Sequence, residues 1–352
     1  MNLEDFNYSL PKSFIAQNPA EPRDHSRLMV YDSERDEVFH RKFFEIEEFL
    51  QPNDIFVVNR SKVIPARILF DCDGRECEIF LLRKIEGGQY EVLMRPGKVF
   101  QKEVEVPISS DLVCRVLDVC PDGARIVEFL PASDVSSDFD IDLELEKLGN
   151  PPFPPYISES SAGFDQYQTV YAREKGSVAA PTAGLHFTDD LMLKLKNRGI
   201  DFSEVLLHVG RGTFAPVTTD KIEDHVMHTE IFELPAATAT RLNAARADGR
   251  RLISVGTTSV RVLETCFDKN RDAFVPQKSA TDIFIYPGYD WKCVDILLTN
   301  FHLPKSTLLM LCSSFLESKG VQDPVRKLME LYELAKDEEY RFFSFGDAML
   351  IL

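Results

Sequence analysis

The hydrophobic pattern of this chain falls into two regimes. Between Ile55 and about Glu128, short apolar-rich segments (IFVVN, EIFLLRKI, QYEVLMR, DLVCRVLDV and ARIVEFL) are broken by DG, GG and PG turns. Strands this short at such spacing predict a small antiparallel β-barrel. Pro131 to Pro155 is acidic, ends in PPFPPY and reads as a linker or boundary. From Gln166 the pattern changes. DFSEVLLHV, RLISV and VDILL read as strands, and they alternate with helical stretches at ATATRLNAARADG and at Ser306 to Leu316. Alternation of this kind predicts a sheet covered by helices. The predicted fold is an α/β main domain over residues 1–58 and 156–352, with a β-barrel and its acidic linker inserted over 59–155.

One stretch departs from both patterns. YAREKGSVAAPTAGLHFT, from Tyr171 to Thr188, lacks apolar periodicity and is crowded with small residues. Small residues let a backbone approach a ligand closely. A helix follows. Thr188 suits its N-cap, Asp189 and Asp190 its first turn, Lys194, Lys196 and Arg198 its end, and Gly199 its stop. The same stretch also reads as a tight turn between core elements.

Composition narrows the class. The 352 residues suffice for roughly two domains, and 44% hydrophobic with 28% charged residues is ordinary for a soluble globular protein. The start carries no basic region followed by an apolar run, and no apolar stretch approaches a membrane span. Seven scattered cysteines match no metal spacing and point to a reduced, cytoplasmic compartment. The net charge is −17, and Glu103 to Asp165, with fourteen acidic and three basic residues, accounts for −11 of it. Bulk acidity argues against nonspecific nucleic-acid binding but leaves room for a local basic patch.

Three more strands end in polar turns. LLHVGRGTFAPV places Gly210 and Gly212 around Arg211, with Thr213 next. SVGTTSVRVLET passes through Gly256, Thr257, Thr258 and Ser259 into a helix carrying Arg261 and Glu264 three apart. The hydroxyls and free N–H groups of that turn suit a carboxylate or phosphate. LLTNFHLPKS sets Asn300 and His302 after a buried strand. In open α/β sheets ligands sit beyond the carboxyl ends of strands, so these turns and Pro181, Thr182, Ala183 and Gly184 could share one crevice. Read singly, GTTS is a capping turn and Arg261–Glu264 a surface pair.

Five of the seven histidines fall in or near these stretches: His186, His208, His225, His228 and His302. A metal reading competes here, but no HExxH, HxH or paired CxxC is present, so acid/base or hydrogen-bonding roles fit better. In the N-terminal part, Arg23 and Arg27 (EPRDHSRLMV), Arg60, Lys62 and Arg67 (NRSKVIPARI), and Arg95 and Lys98 (MRPGKVF) could grip phosphates or simply be solvated strand ends.

Taken together, PRDHSRLMV, NRSKVIPARI, RPGKVF, PPYI, YQTVYAREKGSVAAPTAGLHFT, LHVGRGTFAPV, HVMHTE, VGTTSVRVLET, TDIFIYPGY, LLTNFHLPKSTLLML and YRFFSFGDAML resemble the S-adenosylmethionine:tRNA ribosyltransferase-isomerases of the queuosine pathway. The resemblance runs from residue 22 to the C-terminus, and AAPTAGLHFT and TNFHLPKSTL are its most specific pieces. It implies transfer and isomerisation of the ribosyl group of S-adenosylmethionine. The acceptor is 7-aminomethyl-7-deazaguanine at the tRNA wobble position, the product epoxyqueuosine, and adenine and methionine leave. It implies an α/β domain with an inserted β-barrel, S-adenosylmethionine as substrate, tRNA as partner, and no metal. A monomer without membrane association is expected. Two departures stand out: Asn59–Arg60–Ser61–Lys62 replaces the family's Asn-Asp-Thr-Arg, and Arg211 stands where an apolar residue is common.

With that reaction in view, acid/base roles fall among His186, His208, His228 and Glu264, with no choice between them. The Gly256–Ser259 turn and Arg261 are candidates for the methionine carboxylate. Arg60, Lys62, Arg67, Arg95 and Lys98, with Arg23, Arg27 or Arg211 nearby, are candidates for tRNA. Two rival readings are a metal-dependent hydrolase using the histidines and a noncatalytic RNA-binding protein built on the barrel. The second lacks an aromatic, basic strand face.

Overall fold

A computed structural model of the chain describes residues 1–133, 139–210 and 217–352, apart from the Glu86 side chain. The chain divides into two compact units. One comprises Met1–Lys62, Pro155–Glu174 and Ala180–Leu352, and the other Val63–Pro154 with Lys175–Ala179.

The larger unit is built on a nine-stranded mixed sheet. Its centre is four adjacent parallel strands: Asp201–Leu207, Ile55–Asn59, Leu252–Val255 and Ile296–Asn300. In the last three every residue is buried. That is the signature of parallel strands covered on both faces, where no solvent side exists to impose alternation. Ala348–Ile351 runs antiparallel beside Ile296–Asn300, followed by Arg27–Asp32 and Glu37–Lys42. At the opposite edge, Glu230–Leu234 and Gln277–Thr281 add antiparallel strands. IFVVN therefore belongs to this sheet, not to the run of barrel strands that follows it in sequence. Its uninterrupted apolar run reflects two-sided cover.

Helix boundaries follow local chemistry. Thr188 caps Asp189–Asn197 by accepting from Leu191 N, as its sequence predicts. Ser306 caps Thr307–Ser318, and Asp323 caps Pro324–Asp337. Leu191 and Leu195 pack with Phe187, Phe56, Val58 and Ile253 in the core on one face of the sheet. The helix Gly256–Cys266 packs against all four central strands. No described helix is long and apolar enough to cross a membrane.

The smaller unit is a seven-stranded antiparallel sheet in the order Gly149–Asn150, Arg67–Cys72, Arg75–Lys84, Gln89–Arg95, Arg125–Pro131, Leu112–Val119, Glu105–Pro107. Alternation is clean here: Tyr90, Val92 and Met94 point inward, as do Leu112, Cys114 and Val116. Among the described residues no ladder joins the two outer strands, so the sheet is a curled half-barrel rather than a closed one. The acidic stretch expected to be a linker also folds. Asp140 caps a helix at Ile141–Leu148, whose Leu145 enters this unit's core. Acidity hid the helix because only one of its apolar residues is fully buried.

Around Tyr171–Thr188 the close backbone approach is steric. A Cβ on Gly184 would lie 1.9 Å from Tyr171 Oη and 2.9 Å from Thr169 Cγ2. Gly184→Ala should lower stability by about 1–3 kcal/mol, seen as an earlier urea midpoint. Tyr171→Phe in the same chain should restore part of the loss, because it removes the nearest atom. A single variant as stable as the parent would show that the ring is free to move.

Candidate active site

The four parallel strands deliver their polar turns to one end of the sheet. His208 to Gly210 follow Leu207, Arg60 follows Asn59, Gly256 follows Val255, and Phe301–His302 follow Asn300. A short turn of 3-10 helix, Thr182–Gly184, packs against the Ile296–Asn300 strand and the Gly256–Cys266 helix.

Part of the predicted constellation converges on a small cavity of about 50 Å³. His225, His228, Glu230, Thr257, Thr258 and Arg261 line it. Gly256 opens the helix at φ +78°, where a glycine is needed, and no side chain caps the helix start. Thr258 Oγ1 is buried at this end without a partner among the described residues. Ser259, fully buried, also has a hydroxyl without a partner among the described residues. Arg261 is no surface pair. It is 8% exposed, its Nη1 donates to Glu230 Oε2, and its Nη2 donates to Thr281 O at 3.3 Å. Its Nε has no partner among the described residues. Glu230 is 5% exposed and also accepts from Gly210 N at 2.9 Å. Burial, reinforced by His228, lowers the pKa of His225 and favours its neutral form.

A second cluster lies around His186. Asn300 Nδ2 donates to His186 Nε2 at 3.1 Å, leaving Nδ1 to donate to Ser26 Oγ at 2.8 Å. Thr182 Oγ1 donates to Asn300 Oδ1 at 2.8 Å. Both ring nitrogens are thus engaged, and burial pushes the pKa of His186 down to about 4. Pro181 O accepts from Gly184 N at 2.9 Å, and Ala183 Cβ lies 3.5 Å from where a Cβ on Gly256 would fall. The Pro181–Gly184 turn thereby braces both strand ends.

Other predicted residues stand apart. His302 is buried; its Nε2 pairs with Thr299 Oγ1 at 2.8 Å, its backbone N donates to Tyr332 Oη at 3.0 Å, and burial pushes its pKa down to about 3. Glu264 is kept out of the cavity. Its carboxylate accepts from Lys292 N at 3.1 Å, from Cys293 N at 3.2 Å and from Tyr289 Oη at 3.2 Å, and burial raises its pKa. The i,i+3 spacing of Arg261 and Glu264 serves two different contacts. His208 is half-buried with Nδ1 unpaired; burial lowers its pKa, and Glu174, Lys278, Arg60 and Glu233 are its charged neighbours. Arg211, Gly212 and Thr213 lie outside the described residues.

The basic residues divide likewise. Arg23 donates to Gln168 O at 2.5 Å and to Asp165 O at 2.7 Å. Arg27 binds Glu338 and lies 3.9 Å over the Tyr340 ring. Arg60 pairs with Glu233 at 3.3 Å, and Arg67 donates to Phe153 O at 3.3 Å. These four are tied down. In the smaller unit Arg95 and Lys98 are exposed and have no ion-pair partner among the described residues. Buried Arg125 fixes their loop by donating to Gly97 O at 2.7 Å and Phe100 O at 3.3 Å. Lys62 is half-buried, also without such a partner among the described residues.

Sequence reasoning missed Glu230, Ser26 and Arg125. Glu230 stands in the HVMHTE stretch, two residues after His228, but only the strand pairing of Glu230 with Thr281 sets it opposite Arg261. Among the described residues no group of three or more His, Cys, Asp or Glu is arranged to hold a metal ion.

The fold is thus a mixed α/β sheet with an uncapped helix start and a buried ion pair beside its parallel strand ends. The family described as Queuosine biosynthesis protein matches residues 3–351, and the chain belongs to it. It is 47% identical over the full length of both chains to an S-adenosylmethionine:tRNA ribosyltransferase-isomerase of Moorella thermoacetica. It is 45% identical, again at full length, to the Staphylococcus aureus protein of that name. Among solved structures, an S-adenosylmethionine tRNA ribosyltransferase from Thermotoga maritima is 38% identical and covers 99% of this chain and 100% of its own, with a TM-score of 0.55.

The two buried neutral histidines carry a pH signature. Between about pH 6.5 and pH 4 the unfolded chain binds protons that folded His186 and His302 refuse, so their contribution to stability falls as pH drops through that window and is constant above it. His186→Asn should flatten part of this acid limb in urea unfolding at pH 7, 6 and 5. A limb of unchanged slope would mean that His186 does not carry it.

Proposed function

We infer that this chain catalyses the reaction its relatives are named for: the ribosyl group of S-adenosylmethionine is transferred to the 7-aminomethyl-7-deazaguanine of tRNA and isomerised to epoxyqueuosine. Full-length identity to the named relatives supports this reading, and neither a metal-dependent hydrolase nor a noncatalytic RNA-binding protein is favoured by it. The structural observation that carries it is the uncapped start of the Gly256–Cys266 helix beside Arg261, a natural seat for the methionine carboxylate.

The chemistry needs a base, an acid that protonates the departing adenine, and a grip on the methionine carboxylate. The sulfonium acidifies the C5′ hydrogens of the ribose; removal of one opens the sugar and expels adenine. The tRNA amine then attacks, and methionine leaves as the epoxide closes. A base must reach the reacting atom. His228 lines the cavity beside His225 and is placed for that role, with His208 held at the neighbouring strand end. His186, with both nitrogens occupied, serves as a positioning residue through Asn300 and Thr182. Glu264 anchors the Tyr289–Cys293 segment. For tRNA, Arg95 and Lys98 are the available phosphate contacts, presented on the loop that Arg125 holds. The smaller unit is read as an insertion in the catalytic unit.

Adenine release from S-adenosylmethionine, measured with and without an anticodon stem-loop carrying the precursor base, tests the whole reading; no release in its presence would overturn it. His228→Ala should lower kcat roughly 100- to 10,000-fold with little change in melting temperature, and normal turnover would remove His228 from the role. Reversing charge at Arg95 and Lys98 should weaken stem-loop binding and reduce the slope of log K against log salt by about 0.7 or more per lost contact. Unchanged slope would place the RNA elsewhere.

A further inference from the structure

We propose that Glu230 accepts the α-ammonium group of the substrate's amino-acid end, so that one cavity reads both charges of a zwitterion and Glu230 sets specificity for it. The proposal rests on the S-adenosylmethionine reading above and goes beyond it by assigning the ammonium subsite.

The donors at the cavity call for an anion. Thr258 and Arg261 line it, Thr258 Oγ1 and Arg261 Nε are buried with no partner among the described residues, and the helix start has no side-chain cap. Each is a hydrogen-bond donor, and a carboxylate satisfies them together with the first-turn N–H groups. An α-amino acid cannot present its carboxylate without its ammonium, one carbon away. An ammonium brought into such a site needs a charged acceptor, because an unpaired buried charge is costly. Glu230 is the carboxylate among the described lining residues.

Its acceptor capacity fits. An ionised carboxylate offers about four lone-pair sites. Gly210 N uses one on Oε1 and Arg261 Nη1 one on Oε2, which leaves a site on each oxygen. The same two contacts hold the carboxylate still before ligand arrives, so binding does not have to freeze a rotamer. Charge also balances. Arg261 and Glu230 form a neutral pair, and a zwitterion laid across them sets negative against Arg261 and positive against Glu230. A ligand with the carboxylate alone would leave the cavity with excess negative charge.

The probes are S-adenosylhomocysteine, its des-amino analogue and its decarboxylated analogue, titrated calorimetrically into the full-length protein. Wild type should bind the parent roughly 10- to 100-fold more tightly than the des-amino analogue. E230Q should lose that preference while still favouring the parent over the decarboxylated analogue. Equal affinity of wild type for parent and des-amino ligand overturns the proposal without any variant having to fold. A normally melting E230Q that keeps the amino preference overturns it as well. Wild type that binds none of the three overturns the substrate reading, and the proposal with it, a result distinct from binding parent and des-amino ligand equally.

Discussion

The structure depends on the complete burial of three neighbouring parallel strands, Ile55–Asn59, Leu252–Val255 and Ile296–Asn300. With cover on both faces, every polar group at their ends must find a partner inside the protein or wait for a ligand. Asn59 shows the first solution: its amide bonds both N and O of Leu207, at 3.0 and 2.9 Å, and so stitches neighbouring strands where their ladder ends. Asn300 does the same for the Thr182 turn and His186. Among the described residues, the Thr258 hydroxyl and Arg261 Nε, both on residues that line the cavity, are among the buried polar atoms left without a partner.

Burial also sorts the titratable groups. His186 and His302 are deep enough to stay neutral well below the usual histidine range, which suits them to hold structure and not to exchange protons. Glu264 is likewise spent on backbone N–H groups. The residues left facing the cavity are His225, His228 and the Arg261–Glu230 pair. Buried ion pairs contribute little net stability, but removing one partner is costly, so such a pair is a rigid fixture. For an acidic protein that must meet RNA, the same sorting applies to cations: Arg23, Arg27, Arg60 and Arg67 are used internally, while Arg95 and Lys98 remain exposed.

Much was legible in the sequence wherever the signal is local. Turn residues and short apolar runs located the strands of the half-barrel, and Thr188, Asp189 and Gly199 bounded their helix correctly. Strand-end turns pointed to GTTS, Asn300 and the Pro181–Gly184 segment. Capping and turn chemistry involve residues within four positions of one another, so the sequence alone determined them. Partner choice is different. Arg261 meets Glu230 rather than Glu264, IFVVN joins the large sheet rather than the strands that follow it, and Ser26 reaches His186 across 160 positions. Only the tertiary structure decided these, because strand order and burial, not spacing along the chain, determine which polar groups face each other away from water.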